Sequence, residues 1–240
     1  MPYFSISGGI PLSGCCRIHG AKNAVLPILA AAVLTRKPVR LLDVPELTDV
    51  SNMCKILRLL GCRVAREGAA LLIDGADADC FALPEDLSKE LRSSIFLLGP
   101  VLGRFRQAVV TYPGGCEIGN RPIDLHLKGL SALQAQIVEE GGRIRCDGGS
   151  LTGATIHLDY PSVGATENIM MAATAADGET VIKNAAREPE IVDLQSFLNA
   201  AGFSVRGAGS STVVIRGGCE PREVSFRIMP DRIVTGTVLA

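Results

Sequence analysis

The chain has 240 residues, of which 47% are hydrophobic, and its mean hydropathy is +0.28. A chain of this size can bury roughly 70 to 75% of its surface on folding, so we expect a globular protein. Its 24 Lys and Arg residues and 25 Asp and Glu residues give a net charge of −1. This balance excludes a global positive field that would attract nucleic acid or an anionic membrane, and any anion site must be local.

The chain carries no recognisable targeting or metal-binding pattern. Residues 1–5 lack the basic and apolar regions of a signal peptide, and the apolar run at 24–34 contains a proline and is too short to span a bilayer. The eight cysteines are spread through hydrophobic segments, which favours reduced thiols over a disulfide framework. The three histidines lie far apart, so we expect no metal and no cofactor, and we predict a cytoplasmic location.

Three successive parts of the chain show the same order of elements, which indicates an internal repeat. The first helices of the units are predicted at 23–34, 93–104 and 166–176, and the strands that follow them at 39–42, 108–111 and 180–183. The second helices are predicted to open at Asp49, at Asp124 and at Glu190 or Asp193, and to end at Gly61, Gly141 and Gly202. Short strands around glycine turns are predicted within 63–73, 143–158 and 204–215. This alternation predicts an α/β fold with sheets packed on helices.

Cations recur where the first helices begin. Lys22, Arg92, Thr166 and Arg232 align just before or at these helix starts, and three of the four are cationic. A cation faces the positive end of the helix dipole there, which is unfavourable unless an anion binds between them. We therefore interpret these residues as an anion site, with solvated surface charges as the alternative for Lys22 and Arg92. Asn23 is predicted to cap its helix, with Pro27 in the first turn.

A cysteine lies in a loop rich in glycine and proline at residues 112–126, which read YPGGCEIGNRPIDLH. The glycines around Cys116 free the backbone and leave the sulfur accessible, so the loop could close over a ligand. Arg121 would favour the thiolate form of the cysteine. The alternative is that Cys116 is a small buried hydrophobic residue.

The pattern PGGCxIGxRPxDLH resembles the catalytic loop of the UDP-N-acetylglucosamine enolpyruvyl transferase family. The resemblance is also carried by GAKNAVLPILAA at 20–31, LRSSI at 91–95, PSVGATENIMMAA at 161–173, NAAREPEIVDL at 184–194 and MPDRIVTGT at 229–237. It implies an inside-out α/β barrel domain of three repeated helix-strand units, with the first helices at its centre, facing a second domain that is largely missing here. The implied boundaries are a strand segment of that second domain at 1–20, the three-repeat domain at 21–228, and the truncated start of the second domain at 229–240.

The same resemblance implies transfer of the enolpyruvyl group of phosphoenolpyruvate to the 3-hydroxyl of UDP-N-acetylglucosamine, with release of phosphate, in peptidoglycan synthesis. Cys116 matches the proton donor, which fosfomycin alkylates, and Lys22, Arg92 and Arg121 match positions that bind phosphate or carboxylate. The implied substrate-binding residues also include Asn23, Pro122, Ile123, Asp124, Leu125, Ser162, Val163 and Gly164. Residues near the cleft are Glu188, Glu190, Asp231 and Arg232, although Glu188 and Glu190 could equally be solvent-facing carboxylates.

Some features of the chain depart from the family pattern. Tyr160 stands where some members have a basic residue. The catalytic aspartate and a further arginine belong to the missing half, so we expect the 240 residues alone to be inactive. The alternatives are a non-catalytic fragment that binds a UDP-sugar, the sister enzyme acting on shikimate 3-phosphate, which lacks this cysteine loop, and a redox thiol protein, for which no resolving cysteine is placed.

Overall fold

The secondary structure follows the predicted alternation of helices and strands. A computed structural model describes residues 3–5, 8–9, 13–83, 85–90, 92–112 and 123–240, and the side chains of all of these except residues 89, 90 and 92. Its α-helices are α1 (Lys22–Thr35), α2 (Thr48–Leu59), α3 (Glu85–Glu90), α4 (Leu98–Phe105), α5 (Asp124–Ala132), α6 (Val163–Ala173), α7 (Pro189–Ala200) and α8 (Arg232–Leu239). A 3₁₀ helix, Arg92–Leu97, leads directly into α4. Its strands are β1 (Val39–Leu42), β2 (Arg63–Glu67), β3 (Ala70–Asp74), β4 (Gln107–Thr111), β5 (Gln136–Glu140), β6 (Arg143–Asp147), β7 (Thr155–His157), β8 (Glu179–Lys183), β9 (Ser204–Arg206), β10 (Thr212–Arg216) and β11 (Val224–Arg227).

The first helices of the three units form the centre of the domain and run in the same direction. Near their N-terminal ends, a Cβ added at Gly164 of α6 would lie 3.1 Å from the ring of Phe96. At their C-terminal ends, a Cβ added at Gly103 of α4 would lie 3.1 Å from Ala175 and 3.2 Å from Leu34. Almost all of α1 is buried, as expected for a helix that is apolar on every side. The prediction that these helices lie at the centre is confirmed.

Three sheets surround the central helices and join the units into a ring. Their strand orders are β11-β1-β3-β2, β4-β6-β5 and β7-β8-β10-β9, and the hairpins within each unit are antiparallel. Between units the pairing is parallel: β7 pairs with β8, Ala82 forms a bridge with Val109, and β11 pairs with β1. Each unit therefore lends a strand to the next, and β11 closes the ring. This arrangement confirms the predicted inside-out α/β barrel of three repeated units.

The middle unit departs from the predicted pattern at the end of its second helix. The prediction that this helix ends at Gly141 is wrong, because α5 ends at Ala132 and the segment before Gly141 forms β5. The left-handed residue after α5 is Gln134, with φ of 70°, whereas Gly141 lies in the turn between β5 and β6. The other two second helices end two residues before the predicted glycines, Gly61 and Gly202, which take the left-handed conformation with φ of 95° and 100°.

Two of the central helices also differ from their predicted bounds. α6 begins at Val163 rather than at Thr166, because the Oγ atom of Ser162 accepts a hydrogen bond from the backbone N–H of Ala165, 3.3 Å away, and caps the helix. Thr166 therefore lies one turn inside the helix and is not equivalent to Lys22. The predicted helix at 93–104 is a 3₁₀ helix followed by α4.

The first and last segments meet beside β1. Gly20 forms an antiparallel bridge with Pro230, and the N–H of Ala21 donates to the carbonyl of Met229 at 2.8 Å. The described residues before Gly20 form no strand, and α8 buries none of its residues. The proposed domain boundaries at 20 and 228 stay predictions. Within the described part of the chain, no helix combines the length and hydrophobicity needed to cross a membrane.

Candidate active site

Helix N-termini gather at one end of the barrel, where one carboxylate caps two of them. The Oδ2 atom of Asp231 accepts a hydrogen bond from the N–H of Lys22, the first residue of α1, at 3.2 Å. The Oδ1 atom accepts from Ile233 and Val234 of α8, at 2.8 and 3.1 Å. Burial alone would raise the pKa of Asp231, but these backbone donors outweigh it, so the pKa is lowered. Asp231 therefore remains charged where α1 and α8 begin.

The arginine beside Asp231 forms a two-pronged ion pair. The Nε atom of Arg232 lies 2.9 Å from Oε1 of Glu190, and its Nη2 atom lies 3.2 Å from Oε2. Glu190 is the second residue of α7, and its side chain is 3% exposed, whereas that of Arg232 is 49% exposed. The alternative of a solvent-facing Glu190 is therefore wrong. The pair holds the N-terminus of α7 against that of α8 and leaves part of the guanidinium open to solvent.

Lys22 faces a second acid that the sequence analysis had assigned only to a helix start. Its Nζ atom lies 3.4 Å from Oδ2 of Asp49 on α2, and both side chains are about half exposed. An exposed pair of this kind is worth at most about 1 kcal/mol, so an incoming anion could displace the carboxylate from the lysine. Lys22, Asp49, Glu190, Asp231 and Arg232 are called the charged cluster below.

Asn23 occupies a different place from the one predicted. It is the second residue of α1, exposed, and the capping position is held by Ala21, which has no side-chain acceptor. Asp231 supplies the acceptor instead, from the other end of the sequence. Pro27 lies in the second turn rather than the first, where its missing N–H leaves the carbonyl of Asn23 without the usual helical donor. The side chain of Asn23 is thus available to a ligand beside Lys22.

The predicted nucleotide-binding residues also lie at helix starts. Ser162 caps α6, and Val163 and Gly164 form its first turn, while Tyr160 just before them is exposed. Asp124 opens α5 and is exposed. Ile123 and Leu125 on either side of it are buried, so only their backbone groups could meet a ligand.

Part of the predicted site cannot be placed. Cys116, Arg121 and Pro122 lie outside the described residues. Arg92 begins the 3₁₀ helix that packs against α1, but its side chain is not among those described. The described part of the site is therefore the charged cluster and the first turns of α5 and α6. No group of three potential metal ligands is found among the described residues.

A buried carboxyl group that the sequence analysis missed lies close to the charged cluster. Glu167 of α6 is fully buried, and neither of its carboxyl oxygens has a hydrogen-bond partner. Burial, and then the charges of Glu190 and Glu188, raise its pKa well above the ordinary value. The Oε2 atom of Glu188 is also buried without a partner, so Glu188 is not simply solvent-facing. The signal in the sequence was an acidic residue inside a helical segment that has no other charged residue.

A second acid with a raised pKa lies one turn along α7. Burial raises the pKa of Asp193 to about 6, against the effect of the N–H of Met229, which donates to its Oδ2 atom at 3.3 Å. The charge of Glu190 raises that pKa further. Acids with raised pKa values and the half-exposed Arg232 therefore lie around the start of α7, an arrangement that is typical of sites where protons are transferred.

The sequence of the chain matches a known family over nearly its whole length. The model of the EPSP synthase (3-phosphoshikimate 1-carboxyvinyltransferase) family matches residues 6–240. The chain belongs to this family. Two curated relatives have names that specify a reaction more narrowly than the family description does. The chain is 51% identical to UDP-N-acetylglucosamine 1-carboxyvinyltransferase 2 of Caldanaerobacter subterraneus subsp. tengcongensis, over 100% of its own length and 57% of the relative's. It is 50% identical to UDP-N-acetylglucosamine 1-carboxyvinyltransferase of Gloeobacter violaceus, over 100% of its own length and 52% of the relative's.

Two solved structures with the same fold also match most of this chain with only about half of their own length. The enolpyruvyl transferase NikO from Streptomyces tendae superposes with a TM-score of 0.85 at 24% identity, over 97% of this chain and 55% of that one. EPSP synthase from Acinetobacter baumannii gives a TM-score of 0.70 at 21% identity, over 90% of this chain and 50% of that one. These two likenesses concern the fold alone. The family member described here spans about half the length of the curated relatives and structures that it matches.

Proposed function

We propose that the complete protein containing this domain is a transferase that moves the enolpyruvyl group of phosphoenolpyruvate to the 3-hydroxyl of UDP-N-acetylglucosamine and releases phosphate. The observation that carries this proposal is the 50 to 51% identity, over the whole chain, to relatives that bear the name UDP-N-acetylglucosamine 1-carboxyvinyltransferase. The reaction would be the first committed step of peptidoglycan synthesis. Its substrates, rather than nucleic acid or a membrane, are the proposed partners, and a cytoplasmic location stays a prediction.

The charged cluster supports the anionic part of this proposal. Lys22 lies at the N-terminus of α1, where the positive end of the helix dipole favours an anion. Arg232 lies at the equivalent place on α8, with half of its side chain exposed. We propose that Lys22, Arg92 and Arg121 bind the phosphate and carboxylate of phosphoenolpyruvate, since an arginine fork suits planar, two-pronged recognition. Asn23 is proposed to contact the substrate beside Lys22.

The uridine nucleotide is proposed to bind at the starts of α5 and α6, and Cys116 is proposed to take part in proton transfer. We propose that residues 121–125 and 162–164 hold the uridine nucleotide through backbone groups and short side chains. In the addition step the 3-hydroxyl of the sugar attacks C2 of phosphoenolpyruvate and gives its proton to a general base, while Cys116 delivers a proton to C3. In the elimination step a base removes a proton from C3 and phosphate leaves from C2, which restores the double bond. The catalytic aspartate and a further arginine are proposed to come from the half of the protein that this chain does not include.

A choice of acceptor tests the proposed function. The complete enzyme is mixed with phosphoenolpyruvate and either UDP-N-acetylglucosamine or shikimate 3-phosphate, and phosphate release is measured. We expect release only with UDP-N-acetylglucosamine. Release only with shikimate 3-phosphate would assign the chain to the sister reaction instead. Binding of UDP-N-acetylglucosamine without release by the complete protein would leave only a UDP-sugar-binding role.

A further inference from the structure

The side chain of a buried asparagine, Asn168 of α6, interrupts the backbone hydrogen bonding of the central helix of the middle unit. The N–H of Gly99 donates to Oδ1 of Asn168 at 2.5 Å, and Nδ2 of Asn168 donates to the carbonyl of Ile95 at 2.8 Å. Ile95 and Gly99 are four residues apart, so in a regular α-helix these two backbone groups would bond to each other. The next such bond is also missing, because Pro100 has no N–H. The side chain of Asn168 thus completes the point where the 3₁₀ helix gives way to α4.

The same asparagine fixes the proton position on a buried histidine. Its Nδ2 atom lies 2.9 Å from Nδ1 of His126. The orientation of the amide is not free, since Gly99 can only donate to an oxygen and Ile95 can only accept from a nitrogen. The second hydrogen of Nδ2 therefore points at His126, whose Nδ1 must accept. A neutral imidazole that accepts at Nδ1 carries its proton on Nε2.

The hydrogen-bonded pair of Asn168 and His126 connects three segments that are proposed to bind substrate. His126 is the third residue of α5 and follows residues 121–125 directly. Its ring packs on the first turn of α6, where a Cβ added at Gly164 would lie 3.1 Å from Cε1. Ile95, which accepts from Asn168, comes three residues after Arg92. One hydrogen-bonded pair therefore sets the 3₁₀ helix, α5 and α6 relative to one another.

We propose that Asn168 and His126 are positioning residues for binding of the UDP-sugar, and that they act only while Nδ1 of His126 is unprotonated. They work through the backbone of the 3₁₀ helix and the first turns of α5 and α6. The identity of the ligand rests on the proposed function, whereas the proton position follows from the hydrogen bonds alone.

The proton position can be measured directly. In the complete enzyme labelled with ¹⁵N-histidine, the ring nitrogens of His126 are assigned by comparison with a His126→Asn variant. Near neutral pH we expect an unprotonated Nδ1 and a protonated Nε2 for His126. A proton on Nδ1 would overturn the proposal, because Asn168 could not then donate to it.

Two substitutions in the complete enzyme test the positioning role. His126→Asn keeps an acceptor where Nδ1 stands, whereas His126→Leu removes it at similar volume. We expect the dissociation constant and the KM for UDP-N-acetylglucosamine to be about fivefold or more higher in the leucine variant, as for loss of one buried hydrogen bond, with little change in kcat. Equal values in both variants, with only a lower melting temperature for leucine, would overturn the proposal. Binding is measured separately from turnover, so a wild-type enzyme that releases no phosphate would reject the proposed function and not this role.

Discussion

The carboxylate of Asp231 caps the helix that begins at Lys22, although 209 residues separate the two in sequence. The same carboxylate caps α8, so the N-terminal ends of α1 and α8 share one acceptor. This relationship fixes Lys22 and Arg232 side by side at the end of the barrel. The two cationic residues therefore begin helices that meet at the same carboxylate.

Removal of this shared cap should destabilise the fold. We expect Asp231→Ala to lower the free energy of unfolding by about 2 kcal/mol, since it leaves the starts of two helices without an acceptor. Ser162→Ala, which removes the cap of α6 alone, is the matched control and should cost about 1 kcal/mol. Because the folded pKa of Asp231 is lowered, its contribution is present above the ordinary pKa of 3.8 and is lost as the pH falls through the folded value. Urea unfolding at several pH values measures the free energy of unfolding of both variants. Equal losses of stability in Asp231→Ala and Ser162→Ala would contradict the prediction.

Glu167→Gln should stabilise the protein more as the pH rises. Since burial raises the folded pKa of Glu167, the wild type must keep this carboxyl protonated above its ordinary pKa of 4.5. Its stability then falls by about 1.4 kcal/mol per pH unit until the folded pKa is reached, and the glutamine variant avoids this loss. Glu179→Gln, at an exposed ion pair with Arg206, is the control and should show no such trend. If the free energy of unfolding changes with pH in the same way for Glu167→Gln and wild type, then the folded pKa of Glu167 is not raised and the prediction is wrong.

Arg121→Lys should weaken substrate binding more than its retained charge suggests. A lysine cannot reproduce a two-pronged contact with a phosphate or carboxylate. We expect the KM for phosphoenolpyruvate or for the nucleotide to rise about tenfold, with a smaller change in stability. Steady-state kinetics of the complete enzyme provide the measurement. Unchanged KM values for both substrates would remove Arg121 from the site.

Fosfomycin should alkylate Cys116 and leave the other cysteines intact. The other seven of the eight cysteines are internal controls. Burial raises the pKa of Cys62 to about 11 and that of Cys146 to about 12, so both are poor nucleophiles near neutral pH. Cys15 and Cys16 are exposed, so they test whether solvent accessibility alone is sufficient for alkylation. Peptide mass spectrometry locates the adduct, and an adduct on Cys15 or Cys16 instead of Cys116 would contradict the assignment.

The sequence was sufficient to predict the elements that depend on local patterns. The apolar run of α1, the acid at the start of α2 and the glycines after α2 and α7 all follow rules that act within a few residues. The middle unit misled the prediction because Gln134, a residue with no glycine signature, takes the left-handed position after α5. Gly141 then looked like a helix end when it is a hairpin turn.

Contacts between distant segments could not be predicted in the same way. The cap from Asp231 to Lys22, the pair of Arg232 with Glu190 and the insertion of Asn168 beside Ile95 each join residues at least 42 positions apart. Nothing in a local pattern shows which partner a buried polar side chain will find. The repeat predicted that Lys22 and Arg232 lie at equivalent helix starts, but the pairings depend on how the three units close into a ring.

The proposed reaction is tested most directly by turnover of Cys116→Ser in the complete enzyme. Wild type, Cys116→Ser and the 240-residue chain alone are each given phosphoenolpyruvate and UDP-N-acetylglucosamine, and phosphate release and the mass of the nucleotide product are followed. Because serine is nearly isosteric but a much weaker acid, we expect it to lower turnover at least about 100-fold with the fold intact, and we expect none from the chain alone. Wild-type turnover by Cys116→Ser, or unaided turnover by the 240-residue chain, would contradict the account.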